Sequence, residues 1–412
     1  MTDFDESEIS RLRTLKEGYR DHLLHDTLPF WLRHGVDHQH GGIMTCLDQN
    51  GVIVDTDKGV WQQARFAWLM GELYNHVDAS GEWLELAVNT AAFISSCAFD
   101  SGDGRMWFQL TQDGRPLRKR RYAFSESFAA IAYGELAKAT GDASYREQAI
   151  NCFSSFIKQM SSPRDPAPKW TDVRPTRGLG FPMITLNTAQ ELRESIGWSD
   201  ANTWIDQSIE IIRKYHLNAE LQCVLETVSP EGNLIDHLDG RVLNPGHAIE
   251  GAWFILWEAL YRRDRDLVGL GCQMLDWMWQ KGWDEECGGI LYFVDAHGGP
   301  VSEYWHDMKF WWPQNETIIA TLLAYILTGE SRYFEWHTKI HDWAHQLFPD
   351  PESGEWFGYL HRDGRLSTPV KGTLWKGPFH LPRMQLVCWK LIERYERNGF
   401  QPLMTKALRS SR

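Results

Sequence analysis

The chain has 412 residues, of which 43% are hydrophobic and 24% are charged, so it can bury a large core. Its formal net charge of −13 argues against a nucleic-acid partner, because phosphate binding requires a basic surface stripe. With no apolar run of about twenty residues, no signal-peptide segment near its start and seven cysteines without a CxxC pair, we expect no membrane partner and a reducing, cytoplasmic location.

Five copies of one short pattern follow each other along the chain. Each has a short β-type run, a turn with glycine, a second short run and then the start of an amphipathic helix. The turn glycines are Gly51, Gly114, Gly232, Gly298 and Gly364. Most of them lie about 60 to 66 residues apart, and one gap is about twice as long, which predicts a degenerate sixth unit. Arg177–Arg193 lies where that unit is expected and lacks the hairpin pattern.

Segments with helical periodicity separate these hairpins, so each unit should contain two helices. The helix that opens after each hairpin is apolar on most sides and should be buried, whereas the next helix has a charged face. Six such pairs predict an all-α fold, an (α/α)6 barrel with short β-hairpins capping the active-site mouth. We expect one domain over 1–412, with the barrel at about 15–395, short polar tails at both ends and an exposed loop at 161–176.

Candidate site residues lie near the start of the inner helices, which converge on one mouth in such a barrel. Five of them are interpreted as standing at equivalent positions after the turns, namely Arg65, Glu126, His247, Glu316 and His380, and Asn187 lies in the corresponding stretch of the degenerate unit. A single histidine is more often structural, but two at equivalent repeat positions favour a general base and a general acid on opposite faces of a substrate. Proton removal next to a carbonyl suits such a pair, and an arginine would stabilise the enediolate that develops.

Three further residues complete the candidate set. Glu250 follows His247 by one helical turn and could either bond an imidazole or form a helix ion pair. Arg383 stands three residues after His380, and Trp312, one of 21 tryptophans, could stack on a sugar ring. No HExxH, zinc-ligand or phosphate-loop motif is present, so we expect neither a metal nor a nucleotide cofactor.

The chain resembles the N-acylglucosamine 2-epimerase family, which includes the animal renin-binding protein, from about Tyr19 to Met384. The ordered phrases that carry the resemblance are HGGIMTCLDQNG, VWQQARFAW, FSESF, NPGHAIEGAWF, KFWWPQNE, GEWFGYLHRDG and FHLPR. The resemblance implies an (α/α)6 barrel and the interconversion of N-acetylglucosamine and N-acetylmannosamine at C2. It implies that His247 and His380 are the acid/base pair. It also implies a homodimer, with ATP acting in some members as an allosteric activator rather than a cofactor.

The chain departs from the family pattern at several positions. Family members usually carry Gly at position 64, where this chain has Ala64, and animal members carry His-Ser and Cys where it has Gln314-Asn315 and Pro378. Relatives that act on unmodified sugars such as cellobiose or mannose place a third histidine where this chain has Asn187, which favours the N-acylhexosamine branch.

Three alternatives remain open at this stage. The nearest is an aldose–ketose isomerase or a 2-epimerase of unmodified sugars (mannose, glucose, fructose), in which the proton returns at C1 or the substrate lacks the N-acetyl group. A glycosidase could use Glu126, Glu250 and Glu316 as acid and base. A non-catalytic binding module related to the renin-binding role is the third.

Overall fold

The structure, a computed structural model, describes residues 6–120, 122–161, 171 and 173–404. The α-helices are α1 (Glu6–His22), α2 (Leu28–His34), α3 (Val60–His76), α4 (Gly81–Cys97), α5 (Phe124–Thr140), α6 (Ala143–Ser161), α7 (Gly180–Ile196), α8 (Ala201–Ile211), α9 (Leu238–Arg241), α10 (Pro245–Arg262), α11 (Arg265–Gly282), α12 (Trp311–Thr328), α13 (Ser331–Leu347) and α14 (His380–Arg397). The strands are β1 (Cys46–Leu47), β2 (Ile53–Asp55), β3 (Lys58–Gly59), β4 (Gln109–Leu110), β5 (Pro116–Arg118), β6 (Arg177–Gly178), β7 (Leu217–Asn218), β8 (Cys223–Val224), β9 (Thr227–Val228), β10 (Val242–Leu243), β11 (Val294–Asp295), β12 (Lys309–Phe310) and β13 (Tyr359–Leu360).

The predicted boundaries differ from these elements in places. Helix α1 begins at Glu6, ahead of the barrel boundary expected near residue 15. Residues 1–5 and 405–412 of the expected tails, and most of the loop expected at 161–176, lie outside the described residues. Helix α7 occupies the degenerate unit.

The chain divides into two compact units. Unit 1 contains the residues up to Pro29, Arg213–Thr368 and the residues from His380 onward. Unit 2 contains Phe30–Ile212 and Pro369–Phe379. The single domain expected over 1–412 stays a prediction.

Each unit is built from pairs of helices, as the sequence predicts. In unit 2, α3 packs on α4, α5 on α6 and α7 on α8, while α5 also contacts α3 and α7. In unit 1, α10 packs on α11, α12 on α13 and α14 on α1, while α12 also contacts α10 and α14. Every residue of α12 from Trp311 to Leu327 is buried, whereas its partner α13 buries one stripe only. An apolar surface on all sides of a helix therefore marks the more deeply buried member of the pair.

Each of the five hairpin units contains an equivalent backbone hydrogen bond, and this bond marks matching positions in the five repeats. The bonds run from Met44 to Gly35, Trp107 to Ala98, Leu225 to His216, Leu291 to Gly282 and Phe357 to Phe348, each N–H donating to the carbonyl over 2.7–2.9 Å. All five turn glycines have positive φ, between 77° and 93°, a region that favours glycine because it has no Cβ. The prediction of five glycine turns is confirmed, and strands or single β-bridges pair across four of them, those at Gly51, Gly114, Gly232 and Gly364.

In each of two repeats, a buried lysine binds an aspartate and a backbone carbonyl. Lys58 Nζ lies 2.8 Å from Asp37 Oδ2 and donates to the Gly41 carbonyl. Lys309 Nζ lies 2.9 Å from Asp284 Oδ2 and donates to the Gly289 carbonyl. Both lysine side chains are fully buried, so each aspartate supplies the countercharge that makes this burial tolerable.

All seven cysteines are free thiols. Among the described residues, no helix combines the length and the apolar character that crossing a membrane requires.

Candidate active site

His247 lies in the first turn of α10, where Asn244 caps the helix by accepting a hydrogen bond from the His247 backbone N–H over 3.1 Å. Its Nδ1 lies 3.1 Å from Oε1 of Glu226, a residue between β8 and β9. Burial lowers the pKa of His247, but the charge and hydrogen bond of Glu226, with the charge of Glu250, outweigh it. The net pKa lies above the ordinary value for histidine.

His380 forms a second histidine–carboxylate pair. It is the first residue of α14, and its Nδ1 lies 2.7 Å from Oε1 of Glu316 on α12. Glu316 is fully buried and also accepts hydrogen bonds from Trp253 Nε1 and from Arg383. Its negative charge is therefore shared among three donors.

Arg383 neutralises two buried carboxylates at once. One of its terminal nitrogens donates to Glu250 Oε1 over 2.5 Å and to Glu316 Oε1 over 2.7 Å. Burial lowers the pKa of Arg383, but these two carboxylates raise it above the ordinary value, so the guanidinium stays charged. Glu250 thus binds Arg383 rather than an imidazole or an ion-pair partner on its own helix, although its charge still raises the pKa of His247.

Trp312 lies against both imidazoles. Its ring centroid is 5.2 Å from that of His247 and 5.8 Å from that of His380, with interplanar angles of 36° and 39°. Only 8% of Trp312 is exposed. Because a carboxylate only accepts hydrogen bonds, Nδ1 of each histidine carries the hydrogen in its pair, which leaves Nε2 of each for proton transfer.

Two groups in the described residues have side-chain atoms close enough to ligate a metal ion. One comprises Glu250, Glu316 and His380. Arg383 already places a cation against both of these carboxylates, so a metal ion would have to displace it. The other comprises Glu72, His76 and Glu135 in unit 2.

Three sequence candidates, Arg65, Glu126 and Asn187, belong to unit 2. The Arg65 guanidinium lies over the rings of Trp61, Phe128 and Phe379, 4.0–4.7 Å from their centroids, a cation–π arrangement. Asn187 is buried on α7 as the eighth residue of that helix, and therefore lies further along its helix than the other candidates.

Glu126 is not the repeat equivalent of Arg65, so that alignment is wrong. Gln63 and Gln314 each accept a hydrogen bond through their side chain from a hairpin N–H, at Ile43 and Ile290. Glu126 accepts the equivalent bond from Met106 N–H over 2.9 Å. Glu126 therefore occupies the glutamine position and anchors a hairpin. Two residues further on, the true equivalents are Arg65, Phe128 and Glu316.

Sequence reasoning missed Glu226. The hydrogen bond common to the five hairpins aligns them, and the residues that follow the shared donor are Thr45, Phe108, Glu226, Tyr292 and Gly358. Glu226 is the one acid at this position, so an alignment of the five hairpins would have singled it out.

Comparison with known proteins adds to this geometry. The family model for N-acylglucosamine 2-epimerase (GlcNAc 2-epimerase) matches residues 41–380. The N-acylglucosamine 2-epimerase of Bos taurus is 34% identical over 409 residues, covering 94% of this chain and 93% of its own length. Cellobiose 2-epimerase from Spirochaeta thermophila DSM 6192 is 21% identical with a TM-score of 0.80, over 96% of this chain and 100% of that structure.

A crystal structure of D-mannose isomerase is 16% identical with a TM-score of 0.78, over 92% of this chain and 98% of that structure. These structural likenesses establish the fold, the (α/α)6 barrel predicted from the sequence.

Proposed function

Because the chain belongs to the N-acylglucosamine 2-epimerase family, we propose that it interconverts N-acetylglucosamine and N-acetylmannosamine by proton transfer at C2. The observation that carries the proposal is the pair of imidazoles in unit 1. Each has a carboxylate at Nδ1, and both pack on Trp312.

The proposed chemistry starts from the open-chain aldehyde form of the sugar. One Nε2 removes the C2 proton. The electron pair of the broken C–H bond forms a C1–C2 double bond, and the π pair of the C1 carbonyl moves onto O1, which gives an enolate with the N-acetylamino group at C2. The other Nε2 then donates a proton to the opposite face of C2. The carboxylates Glu226 and Glu316 stabilise whichever imidazole is protonated, as a neighbouring carboxylate does for a catalytic histidine.

Further parts of the proposal come from the sequence pattern and from the family resemblance. They are sugar binding by Arg65, Glu126, Asn187, Glu250, Trp312, Glu316 and Arg383, a homodimer, a cytoplasmic location and activation by ATP. Trp312 packs on both histidines, and the charge of Glu250 raises the pKa of His247. Glu126 accepts a structural hydrogen bond from Met106 N–H, which competes with a role in binding. The reaction as proposed requires no metal or organic cofactor.

Proton NMR of the enzyme with N-acetylglucosamine in D₂O tests the proposal, with mannose and glucose as rival substrates. We expect deuterium at C2 and formation of N-acetylmannosamine. Both should be lost in His247→Ala and His380→Ala and kept in His297→Ala, which changes an exposed histidine. Ketose formation from mannose with N-acetylglucosamine inert would assign the isomerase instead. Hydrolysis of an oligosaccharide that survives both histidine substitutions would assign a glycosidase.

A further inference from the structure

The two histidine–carboxylate pairs differ in how their negative charge is compensated. Glu316 is fully buried and accepts from Trp253, His380 and the positive charge of Arg383. Glu226 has a single hydrogen-bond partner among the described residues, Nδ1 of His247. Its second oxygen, Oε2, is buried and accepts no hydrogen bond from that part of the chain.

This difference concentrates the charge of Glu226 on one imidazole. A carboxylate with no cationic partner stabilises an adjacent imidazolium more than one already neutralised by a guanidinium. The other titratable groups near His247 are Glu250, which adds negative charge, and His380, which lies across Trp312. Tyr292 lies beside Trp312, and burial raises its pKa to about 12, so it stays neutral. Glu250 is itself bound to Arg383, so the main uncompensated charge is that of Glu226.

We propose that Glu226 is a positioning residue for the reaction. Through Nδ1 it fixes Nε2 of His247 as the nitrogen that carries the transferred proton, and it keeps His247 as the protonated member of the pair while His380 rests neutral. In this resting form, His380 takes the C2 proton as the C–H bond breaks, and His247 returns its own proton to the opposite face. The two histidines then hold the reverse protonation states, and exchange with solvent restores the resting form. This inference rests on the proposed function.

The proposal predicts which histidine causes the fall in kcat/KM at low pH, the acidic limb, and which causes the fall at high pH, the alkaline limb. For the epimer whose C2 proton faces His380, activity of the free enzyme requires neutral His380 and protonated His247, so kcat/KM falls on the alkaline side as His247 loses its proton. Removal of the Glu226 charge lowers the pKa of His247. The alkaline limb must therefore move to lower pH while the acidic limb stays in place.

The experiment compares the parent enzyme with Glu226→Gln, Glu226→Asp and the matched control Glu231→Gln. Glu231 lies in the same hairpin, is exposed and accepts a hydrogen bond from Ser229 alone within the described part of the chain, so its replacement removes the same charge without touching His247. Two readouts are measured: kcat/KM for C2 epimerisation against pH, and the titration of the His247 ring by NMR without substrate. The His247 resonance is assigned by its loss in His247→Asn.

For Glu226→Gln we expect the alkaline limb and the His247 titration both to move down by about one pH unit, which is a tenfold change in proton affinity. The rate at the optimum should fall about tenfold. Glu226→Asp should recover part of both, and Glu231→Gln should match the parent.

An active parent whose Glu226→Gln variant keeps the same limb and the same His247 titration would overturn this inference alone. A loss of activity with unchanged titration would likewise overturn it, because a merely structural role predicts that result. A parent that epimerises no sugar would overturn the proposed function, and with it this role in the reaction.

Discussion

A Cβ atom on residue 246 would lie 2.7 Å from Cζ3 and Cη2 of the Trp312 indole. Real Cβ atoms do not approach that closely, so glycine at this position lets Trp312 pack against the start of α10, next to His247. One missing side chain thus decides how the ring shared by the two imidazoles is placed.

Replacement of that glycine should therefore disturb both packing and activity. We expect Gly246→Ala to lower the free energy of unfolding by about 1–3 kcal/mol, the usual cost of overpacking, and to reduce epimerisation. Urea unfolding and the NMR rate assay measure the two effects. Gly269→Ala is the control, because a Cβ there meets no atom within 4 Å and α11 should tolerate it. Full activity of Gly246→Ala would contradict this account of Trp312.

The buried charge pairs beneath the hairpins should be essential to stability. In Asp284→Asn, the buried Lys309 loses its carboxylate partner, while Arg362 keeps Glu286. We expect a loss of about 3–5 kcal/mol in the free energy of unfolding, because an uncompensated buried charge remains. Asp363→Asn breaks an exposed pair with Arg365 and should cost under about 1 kcal/mol. Equal stability of the two variants would show that Lys309 finds another partner.

A group of one buried and two half-buried histidines on α13 should make the fold sensitive to acid. The rings of His341 and His345 stack at 3.8 Å, and Tyr19 bonds both His341 and His337. Burial lowers the pKa of His337 to about 4 and that of His345 to about 3, and burial with the neighbouring histidines lowers that of His341 well below the ordinary value.

The direction of that effect follows from proton binding. The unfolded chain binds protons at these histidines below about pH 6.5, whereas the folded protein does so only at lower pH. The free energy of unfolding should be greatest above pH 6.5 and fall by up to about 1.4 kcal/mol per pH unit for each histidine as the pH drops. Urea unfolding at pH 5, 6 and 7.5 measures the slope. His345→Phe keeps a ring in the stack and should flatten it; an unchanged slope would place the acid sensitivity elsewhere.

The guanidinium of Arg383 should determine whether the site can bind metal. The parent enzyme should keep its activity after dialysis against EDTA. In Arg383→Ala, the carboxylates of Glu250 and Glu316 lose their cation beside His380, and we expect new affinity for Zn²⁺. Isothermal titration with Zn²⁺ compares the two proteins. Equal Zn²⁺ binding by the parent, or loss of its activity in EDTA, would refute the view that the arginine takes the place of a metal.

Local pattern was enough to predict the elements but not the side-chain partners. Turn glycines and apolar periodicity are properties of neighbouring residues, so the hairpins and the alternation of α12 with α13 could be predicted from the sequence. The partner of His247 could not, since Glu226 stands 21 residues away on another element. Glu126 was misaligned because an acid at the hairpin-anchoring position resembles a site residue until the bond to Met106 is seen.

The side chains that accept a hydrogen bond from a hairpin N–H also bear on how such a chain could have arisen. Gln63, Glu126 and Gln314 perform the same task in three repeats, while the residues two places later are an arginine, a phenylalanine and a glutamate. If the repeats descend from one duplicated ancestral unit, the anchor was retained because every copy had to hold its own hairpin. The position two residues later holds no hairpin, so its residue could change separately in each copy. A symmetric ancestor could then become an asymmetric enzyme while its helices and hairpins stayed the same.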